Sequence, residues 1–211
     1  FINTCFDAIN LSRPELVSNI HKEYIDAGAD IVETNTFGAN RLKLSRFGMK
    51  DEVEAINKEA VRLASKNKKD DTLIAGAIGP SGTDFKYLPK DKKEEVIEIL
   101  LEQAHFLIDS GVDLLIFETF SDTQELTQAI KNLRKQSDIS IIAQMTFNEN
   151  KETKFGESSI YAIEELTKVD ATAVGLNCSV GPSAMLENFK IIKNHTNKPI
   201  SVQPNAGLPR Q

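Results

Sequence analysis

The chain has 211 residues, of which 40% are hydrophobic and 27% charged, a composition typical of a folded globular domain rather than a disordered or membrane-spanning chain. Its formal net charge of −6 gives no electrostatic reason to expect a nucleic-acid partner, and no apolar run approaches the roughly 18 residues that a membrane helix requires. Two cysteines do not make a disulfide framework, so we expect a cytoplasmic protein with no membrane association.

Helical patterns and apolar runs alternate along the chain. The first helix is predicted to begin at Ser12-Arg13-Pro14-Glu15, a capping box in which the Ser12 hydroxyl and the Glu15 carboxylate each bond a free backbone amide, and to end at Gly28. The elements predicted after it are, in chain order, a run at 31–32, a helix over 51–66, a run at 73–78, a helix from 91 to about 111, a run at 114–117, a helix over 122–135, a run at 139–145, a helix over 158–168, a run at 172–176, a helix over 182–195 and a run at 199–202. Together they make six helix-then-strand units.

Part of this alternation is a repeat in the letters themselves. "AGADIVETNTF" at 27–37 and "SGVDLLIFETF" at 110–120 share a helix-ending glycine, an aspartate two residues later, an apolar run and a Glu-Thr exit. "KVDATAVGLNC" is a weaker third copy without the glycine. Short loops and runs that are apolar on both faces are typical of parallel strands covered by helices.

The ends of the apolar runs favour a closed barrel over an open doubly wound sheet. In a barrel all the carboxyl ends of the strands meet at one mouth, whereas an open sheet gathers them only near its switch point. We therefore predict an α/β fold, a (β/α)8 TIM barrel of which this chain holds about six of eight strands. The polar or glycine residues at the run ends are Glu33, Gly79, Glu118, Gln144, Asn177 and Gln203.

Cys178 ends one of these runs, and its residue type alone leaves three roles open. It could be a nucleophile, a metal ligand or an inert thiol. A nucleophile needs a nearby base, but all three histidines, His21, His105 and His195, fall inside helical patterns. A catalytic zinc needs three protein ligands, and the chain does not supply the other two. Cys5 carries no signal beyond that of a free thiol.

Glu118 follows a run of four apolar residues and is expected at the mouth, close to walls of low dielectric constant. A carboxylate there suits an ammonium ligand, because an opposite charge offsets the cost of keeping it ionised. Glu33 and Glu118 could also be an acid and base pair for sugar hydrolysis. The chain has no tryptophan to hold a sugar, and it has no glycine-rich phosphate loop.

Five motifs resemble the homocysteine S-methyltransferase family, and in particular the homocysteine-binding barrel of cobalamin-dependent methionine synthases and of the enzymes fused to methylenetetrahydrofolate reductase. The resemblance covers nearly the whole chain and keeps the order of the motifs. They are "ETNTFGANRLKLSRFG" at 33–48, "FETFSDTQEL" at 117–126, "AQMTF" at 143–147, "VGLNCSVGP" at 174–182 and "PISVQPNAGLP" at 199–209.

The resemblance implies a role for individual residues. Cys178 matches the first of three cysteines that bind zinc in the family, whereas the other two form a Gly-Gly-Cys-Cys-Gly motif expected beyond Gln211. Glu118 matches the glutamate that receives the homocysteine ammonium, and Thr34 falls where the family contacts the carboxylate. Asn35 and Asn177 are their neighbours in the same motifs and are carried as substrate-binding residues. No residue is assigned as a catalytic acid or base.

The implied reaction is methyl transfer to the sulfur of homocysteine, which gives methionine. Attack requires the thiolate, and zinc deprotonates a coordinated thiol. The resemblance implies methylcobalamin or methyltetrahydrofolate as the donor, carried by a domain beyond Gln211. We accordingly expect residues 1–211 to be a homocysteine-binding barrel domain that is truncated at both ends, because the chain begins without methionine and stops just after a strand-like run.

Two other interpretations stay open. One is a metal-free barrel that binds an amino acid, or an inactive fragment, in which Glu118 and Thr34 act without zinc. The other is an unrelated lyase or aldolase, which would place a lysine at a strand exit for a Schiff base, although no run here ends on one.

Overall fold

The computed structural model describes residues 5–207, in which six helix-then-strand units follow one another. The strands are β1 (Ile31–Glu33), β2 (Leu73–Ile78), β3 (Leu114–Phe120), β4 (Ser140–Met145), β5 (Ala173–Asn177) and β6 (Ile200–Gln203). The helices are α1 (Ile9–Ser12), α2 (Pro14–Asp26), α3 (Arg41–Ser45), α4 (Val53–Ser65), α5 (Lys90–Asp109), α6 (Thr123–Leu133), α7 (Ser159–Lys168) and α8 (Pro182–Ile192), with one 3₁₀ turn at Phe85–Tyr87.

The strand order decides between the two folds that the sequence left in competition. The six strands form one sheet in the order β1-β2-β3-β4-β5-β6, and the pairs β1–β2, β4–β5 and β5–β6 are parallel. A doubly wound sheet reverses its order at a switch point, and no reversal occurs here. The prediction of an α/β fold with six strands of an incomplete (β/α)8 barrel is confirmed.

The chain divides into two compact units, and the division falls within β3, between Ile116 and Phe117. Among the described residues, the first comprises 5–83 together with 89–116, and the second comprises 84–88 together with 117–207. In the first unit, α3 and α4 pack a buried cluster of Ala39, Leu44, Val53 and Ile56. No helix in residues 5–207 is long and apolar enough to cross a membrane.

The second unit contains the register that positions the site. Gln144 on β4 pairs with Gly175 on β5, which pairs with Ser201 on β6. A Cβ at Gly175 would lie 2.0 Å from the carbonyl oxygen of Ser201, so only glycine allows this approach. The Gln144 side chain crosses over Gly175, and its Nε2 donates to Ser201 Oγ at 2.8 Å. Two residues along β5 from Gly175, and on the same face, comes Asn177.

The repeated glycine of the sequence serves the same purpose in both copies. Gly28 has φ of 95° and Gly111 has φ of 92°, the left-handed conformation that ends a helix. Asp113, in the second copy, accepts a hydrogen bond from the backbone amide of Ile74 at 2.7 Å. The letters of the repeat thus correspond to one recurring helix-to-strand connection.

The predicted capping box is wrong. Ser12 is the last residue of α1, and its hydroxyl donates to the carbonyl of Ala8 at 3.1 Å, four residues back. α2 begins at Pro14 with Arg13 before it and no side-chain cap. A serine that ends one helix has its hydroxyl next to that helix's carbonyls, so it is not available to the amides of the next helix.

Other differences concern element limits. α1, α3 and the 3₁₀ turn were not predicted, β3 runs three residues past the predicted end at Phe117, and α8 ends at Ile192, which leaves His195 outside the helix. Short helices lack the repeated turns that make an apolar period visible.

Candidate functional site

The carboxyl ends of β3 and β5 bring three of the predicted site residues together in the second unit. Asn177 is 2% exposed, and its Nδ2 lies 3.3 Å from Glu118 Oε2 and 3.5 Å from Cys178 Sγ. The same nitrogen donates to Thr119 Oγ1 at 2.8 Å. One buried amide therefore holds the carboxylate, the hydroxyl and the thiol of the site around a single point.

The orientation of that amide is fixed by the backbone. The main-chain N–H of Thr119 donates to Asn177 Oδ1 at 2.9 Å. Because a backbone N–H can only donate, the atom facing it must be the carbonyl oxygen, and the NH2 group must face the other three side chains.

The backbone on both sides of the cluster adopts a conformation that residues with side chains avoid. Thr119 has φ of 62°, Cys178 of 56° and Ser179 of 63°. Each such residue costs on the order of 1–3 kcal/mol, and residues of this kind concentrate at functional sites. The Cys178 backbone is held by bonds from its N–H to Gln203 O at 3.0 Å and from Val180 N–H to Cys178 O at 2.7 Å.

Two side chains of this cluster suit two different kinds of positive ligand. Glu118 and Cys178 are partly buried, so solvent screens their interactions less than at a free surface. A carboxylate binds ammonium and a thiolate binds a soft metal ion. The arrangement can therefore present a carboxylate to an ammonium group and, beside it, a sulfur ligand to a metal ion.

A complete zinc site is not formed within the described residues. Residues 5–207 contain no group of three or more His, Cys, Asp or Glu side chains placed to hold a metal ion. Cys178 fits one position of a zinc centre by its chemistry and its strand-end placement, and any further ligands would come from outside this part of the chain.

Thr34 and Asn35 lie in the first unit, at the end of β1. Thr34 is 4% exposed, and its Oγ1 accepts from Ala77 N–H at 3.0 Å and lies 2.6 Å from Thr36 Oγ1. Asn35 Nδ2 donates to Phe6 O at 2.8 Å and to Asn10 Oδ1 at 3.1 Å. These bonds tie β1 to its neighbouring segments, and a substrate role for either residue stays a prediction.

A cavity of about 340 Å³ also lies in the first unit, beside Asn35. Burial raises the pKa of the Asp7 carboxyl, whose Oδ1 accepts from Gly38 N–H at 2.8 Å, and burial also raises the pKa of the Cys5 thiol. The ammonium of Lys43 lies 4.1 Å from the centre of the Phe37 ring. The cavity is lined by Cys5, Phe6, Asp7, Asn35, Phe37, Gly38, Lys43, Arg46 and Phe47.

Thr119 and Asp7 were not found by sequence reasoning. A signal for Thr119 existed, because the repeat gives a Glu-Thr exit at both 33–34 and 118–119. Asp7 belongs to no repeat or recognised motif, and only its burial marks it.

The described strands form part of an α/β barrel, and polar side chains lie at their carboxyl ends. These two features are typical of the class of barrel enzymes whose site is at the carboxyl face. Within that class the chain belongs to the homocysteine S-methyltransferase family, whose model matches residues 3–211. The methionine synthases of Mycobacterium leprae (strain TN) and Mycobacterium tuberculosis (strain ATCC 25618 / H37Rv) are each 29% identical over 97% of this chain, which spans 18% of their length. The metallated form of the Escherichia coli homocysteine methyltransferase MmuM has the same fold, with a TM-score of 0.83 and 21% identity over 94% of this chain and 75% of that one.

Proposed function

We propose that this chain is part of the homocysteine-binding barrel domain of a zinc-dependent homocysteine S-methyltransferase. The homocysteine S–H loses its proton, the sulfur forms a bond to the donor's methyl carbon, and the donor's bond to that carbon breaks to give methionine. Family membership and the similarity to methionine synthases support this reaction. The observation that carries it is the contact of Asn177 with both Glu118 and Cys178.

Each residue of the cluster has a part in this proposal. Glu118 receives the ammonium of homocysteine, and Asn177 fixes the distance between that ammonium and the sulfur. Cys178 supplies one thiolate ligand to zinc, and the remaining ligands come from outside residues 5–207. When bound, zinc deprotonates a coordinated thiol at neutral pH. Thr34 is the proposed contact for the substrate carboxylate, with Asn35 beside it.

The methyl donor belongs to the same proposal. Methylcobalamin or methyltetrahydrofolate, held by another domain of the full-length protein, would approach the carboxyl ends of the strands, because that is where the cluster lies. Thiolate ligands must stay reduced, so the cytoplasm is the proposed compartment.

The test is zinc retention and turnover in the full-length protein after Cys178→Ala, with Cys5→Ala as the matched control. C178A is expected to lose zinc and methyl transfer together, since a ligand is removed. C5A, which removes a partly buried thiol at a distant point of the chain, is expected to keep both. Undiminished zinc and turnover in C178A would reject the assignment.

Calorimetry separates this enzyme from a metal-free barrel that binds an amino acid. Homocysteine should bind the full-length protein tightly only with zinc present, because the thiol needs the metal. Binding that survives zinc chelation unchanged would favour the metal-free alternative.

A further inference from the structure

Thr119 carries a set of contacts that the proposed function does not use. It is the residue after Glu118 on β3, and it lies 58 positions from Asn177 in the chain. Its backbone N–H, its hydroxyl oxygen and its hydroxyl hydrogen can each be assigned a partner in the cluster. Every polar group of the Thr119 side chain and its backbone N–H therefore points to a role within this cluster.

The direction of the hydroxyl bond follows from its neighbours. Asn177 Nδ2 has two hydrogens and three acceptors in reach, and the shortest contact is the one of 2.8 Å to Thr119 Oγ1. The hydroxyl oxygen therefore accepts from the amide. Its own hydrogen is then directed to another acceptor, and Cys178 Sγ lies 3.8 Å away, within the range for a bond to sulfur.

The left-handed backbone at Thr119 is what makes this possible. Successive side chains of a strand point to opposite faces, so Glu118 and Thr119 should not meet the same partner. Here Glu118 Oε2 and Thr119 Oγ1 both lie within 3.3 Å of one nitrogen, at 3.3 Å and 2.8 Å. The φ of 62° breaks the alternation and turns both residues towards Asn177.

This conformation is unfavourable for threonine in particular. A β-branched side chain at positive φ is a true outlier, and its cost of about 1–3 kcal/mol must be offset by the surrounding bonds. The two hydrogen bonds between Thr119 and Asn177, a residue of β5, offset part of this cost. The contacts of the site therefore explain the positive φ of Thr119, whereas the geometry of a β-strand does not.

We infer that Thr119 is a positioning residue that, through its hydroxyl and the Asn177 amide, sets the direction of the Cys178 sulfur for metal binding. The inference rests on the proposed function, since it takes Cys178 as a zinc ligand. Groups that orient a ligand in this way typically change metal affinity by about 10- to 100-fold when removed.

The experiment compares Thr119→Val and Thr119→Ser in the full-length protein. Valine keeps the branched shape and loses the hydroxyl, whereas serine keeps the hydroxyl and loses the methyl group. Zinc affinity is measured by competition with a chromophoric chelator, without any turnover. T119V is expected to bind zinc about 10- to 100-fold more weakly, and T119S is expected to stay close to the parent.

Two controls keep the outcomes distinct. Thermal unfolding of the zinc-free variants tests folding, and if T119V does not fold, Thr119→Ala removes the hydroxyl without a branched side chain at positive φ. Parental affinity in the folded hydroxyl-free variant, while C178A loses zinc, overturns the inference and leaves the proposed function standing. Zinc retained by C178A overturns both, and equal losses in T119V and T119S overturn the hydroxyl's role alone.

Discussion

At the residue scale, the proposed ammonium contact gives the charge of Glu118 the task of selecting among amino-acid ligands. Its carboxylate oxygen Oε2 is 3.3 Å from Asn177 Nδ2, which holds it beside the sulfur of Cys178. A negative group held there favours a ligand that carries an ammonium on one end and a thiol on the other. In the proposed function, the spacing between the two groups is therefore part of the specificity.

Glu118→Gln in the full-length protein should weaken homocysteine binding. A hydrogen bond to a charged group contributes about 1.5–3 kcal/mol, so we expect the KM for homocysteine to rise about 10- to 100-fold. The control is a thiol substrate without the amino group, 4-mercaptobutyrate, which E118Q and the parent should use equally poorly. An E118Q variant with the parent's KM for homocysteine would contradict the ammonium contact.

Part of this cluster was predictable from the sequence, and part was not. Glu118, Asn177 and Cys178 follow from apolar runs and motifs that are local in the chain. The role of Thr119 depends on an amide 58 residues away and on a φ of 62°. No local sequence pattern predicts a threonine with positive φ, because β-branched residues rarely adopt that conformation.

At the element scale, His21 connects α2 to β1. Its Nε2 lies 2.9 Å from Glu33 O, at the exit of the strand, and the residue is 7% exposed. Burial lowers the pKa of His21, and the bond to the Glu33 carbonyl opposes this only in part. The folded protein therefore favours the neutral ring.

The stability of the folded protein should therefore depend on pH. The pKa of His21 is lower in the folded state than the value of about 6.5 in the unfolded state, so its contribution is fully present above that pH and is lost as pH falls through the folded pKa. We expect the free energy of unfolding to decrease on acidification below about pH 6.5. Denaturant titrations at several pH values measure this.

The matched variants are His21→Gln, whose amide can still donate to Glu33 O, and His105→Gln on α5. H21Q should flatten the dependence of stability on pH in that window, and H105Q should leave it in place. A parental slope in H21Q would show that another group is responsible.

Element boundaries show where sequence reasoning succeeds and where it fails. The sequence pattern predicts β2 with its observed limits and a helix start at about Asp122. Asp122 is the N-cap of α6, and its Oδ1 accepts from Gln124 N–H at 2.9 Å and Glu125 N–H at 3.1 Å. The capping box at Ser12 failed because the same serine ends α1.

At the scale of the whole molecule, the packing of β5 against β6 depends on a close contact that Gly175 permits. Gly175→Ala should force β5 and β6 apart, because the added Cβ would lie 2.0 Å from Ser201 O. We expect a loss of about 1–3 kcal/mol or more in the free energy of unfolding, measured by chemical denaturation.

Gly181→Ala is the control for that variant, since a Cβ there meets nothing within 4 Å. Hydrogen exchange gives a second measurement: the Cys178 N–H, bonded to Gln203 O at 3.0 Å, should exchange faster in G175A than in G181A. Equal stability and exchange in the two variants would contradict the close contact.

The alternation of six units and the fold class were readable from the sequence because both rest on hydrophobic period and loop length, which recur along the chain. The close approach at Gly175 was not, since a glycine inside an apolar run has several explanations. The register of β4, β5 and β6 shows that the explanation here is a close approach between strands.

At the strained residues 119, 178 and 179, selection for stability and selection for turnover would favour different side chains. Glycine adopts their backbone angles at no steric cost, so a search for heat-resistant variants would accept glycine there. In the proposed function, a search for turnover would discard the same changes at 119 and 178, because Cys178 supplies the sulfur that binds zinc and Thr119 orients it. If the proposed function holds, stability and activity are therefore opposed at these two positions.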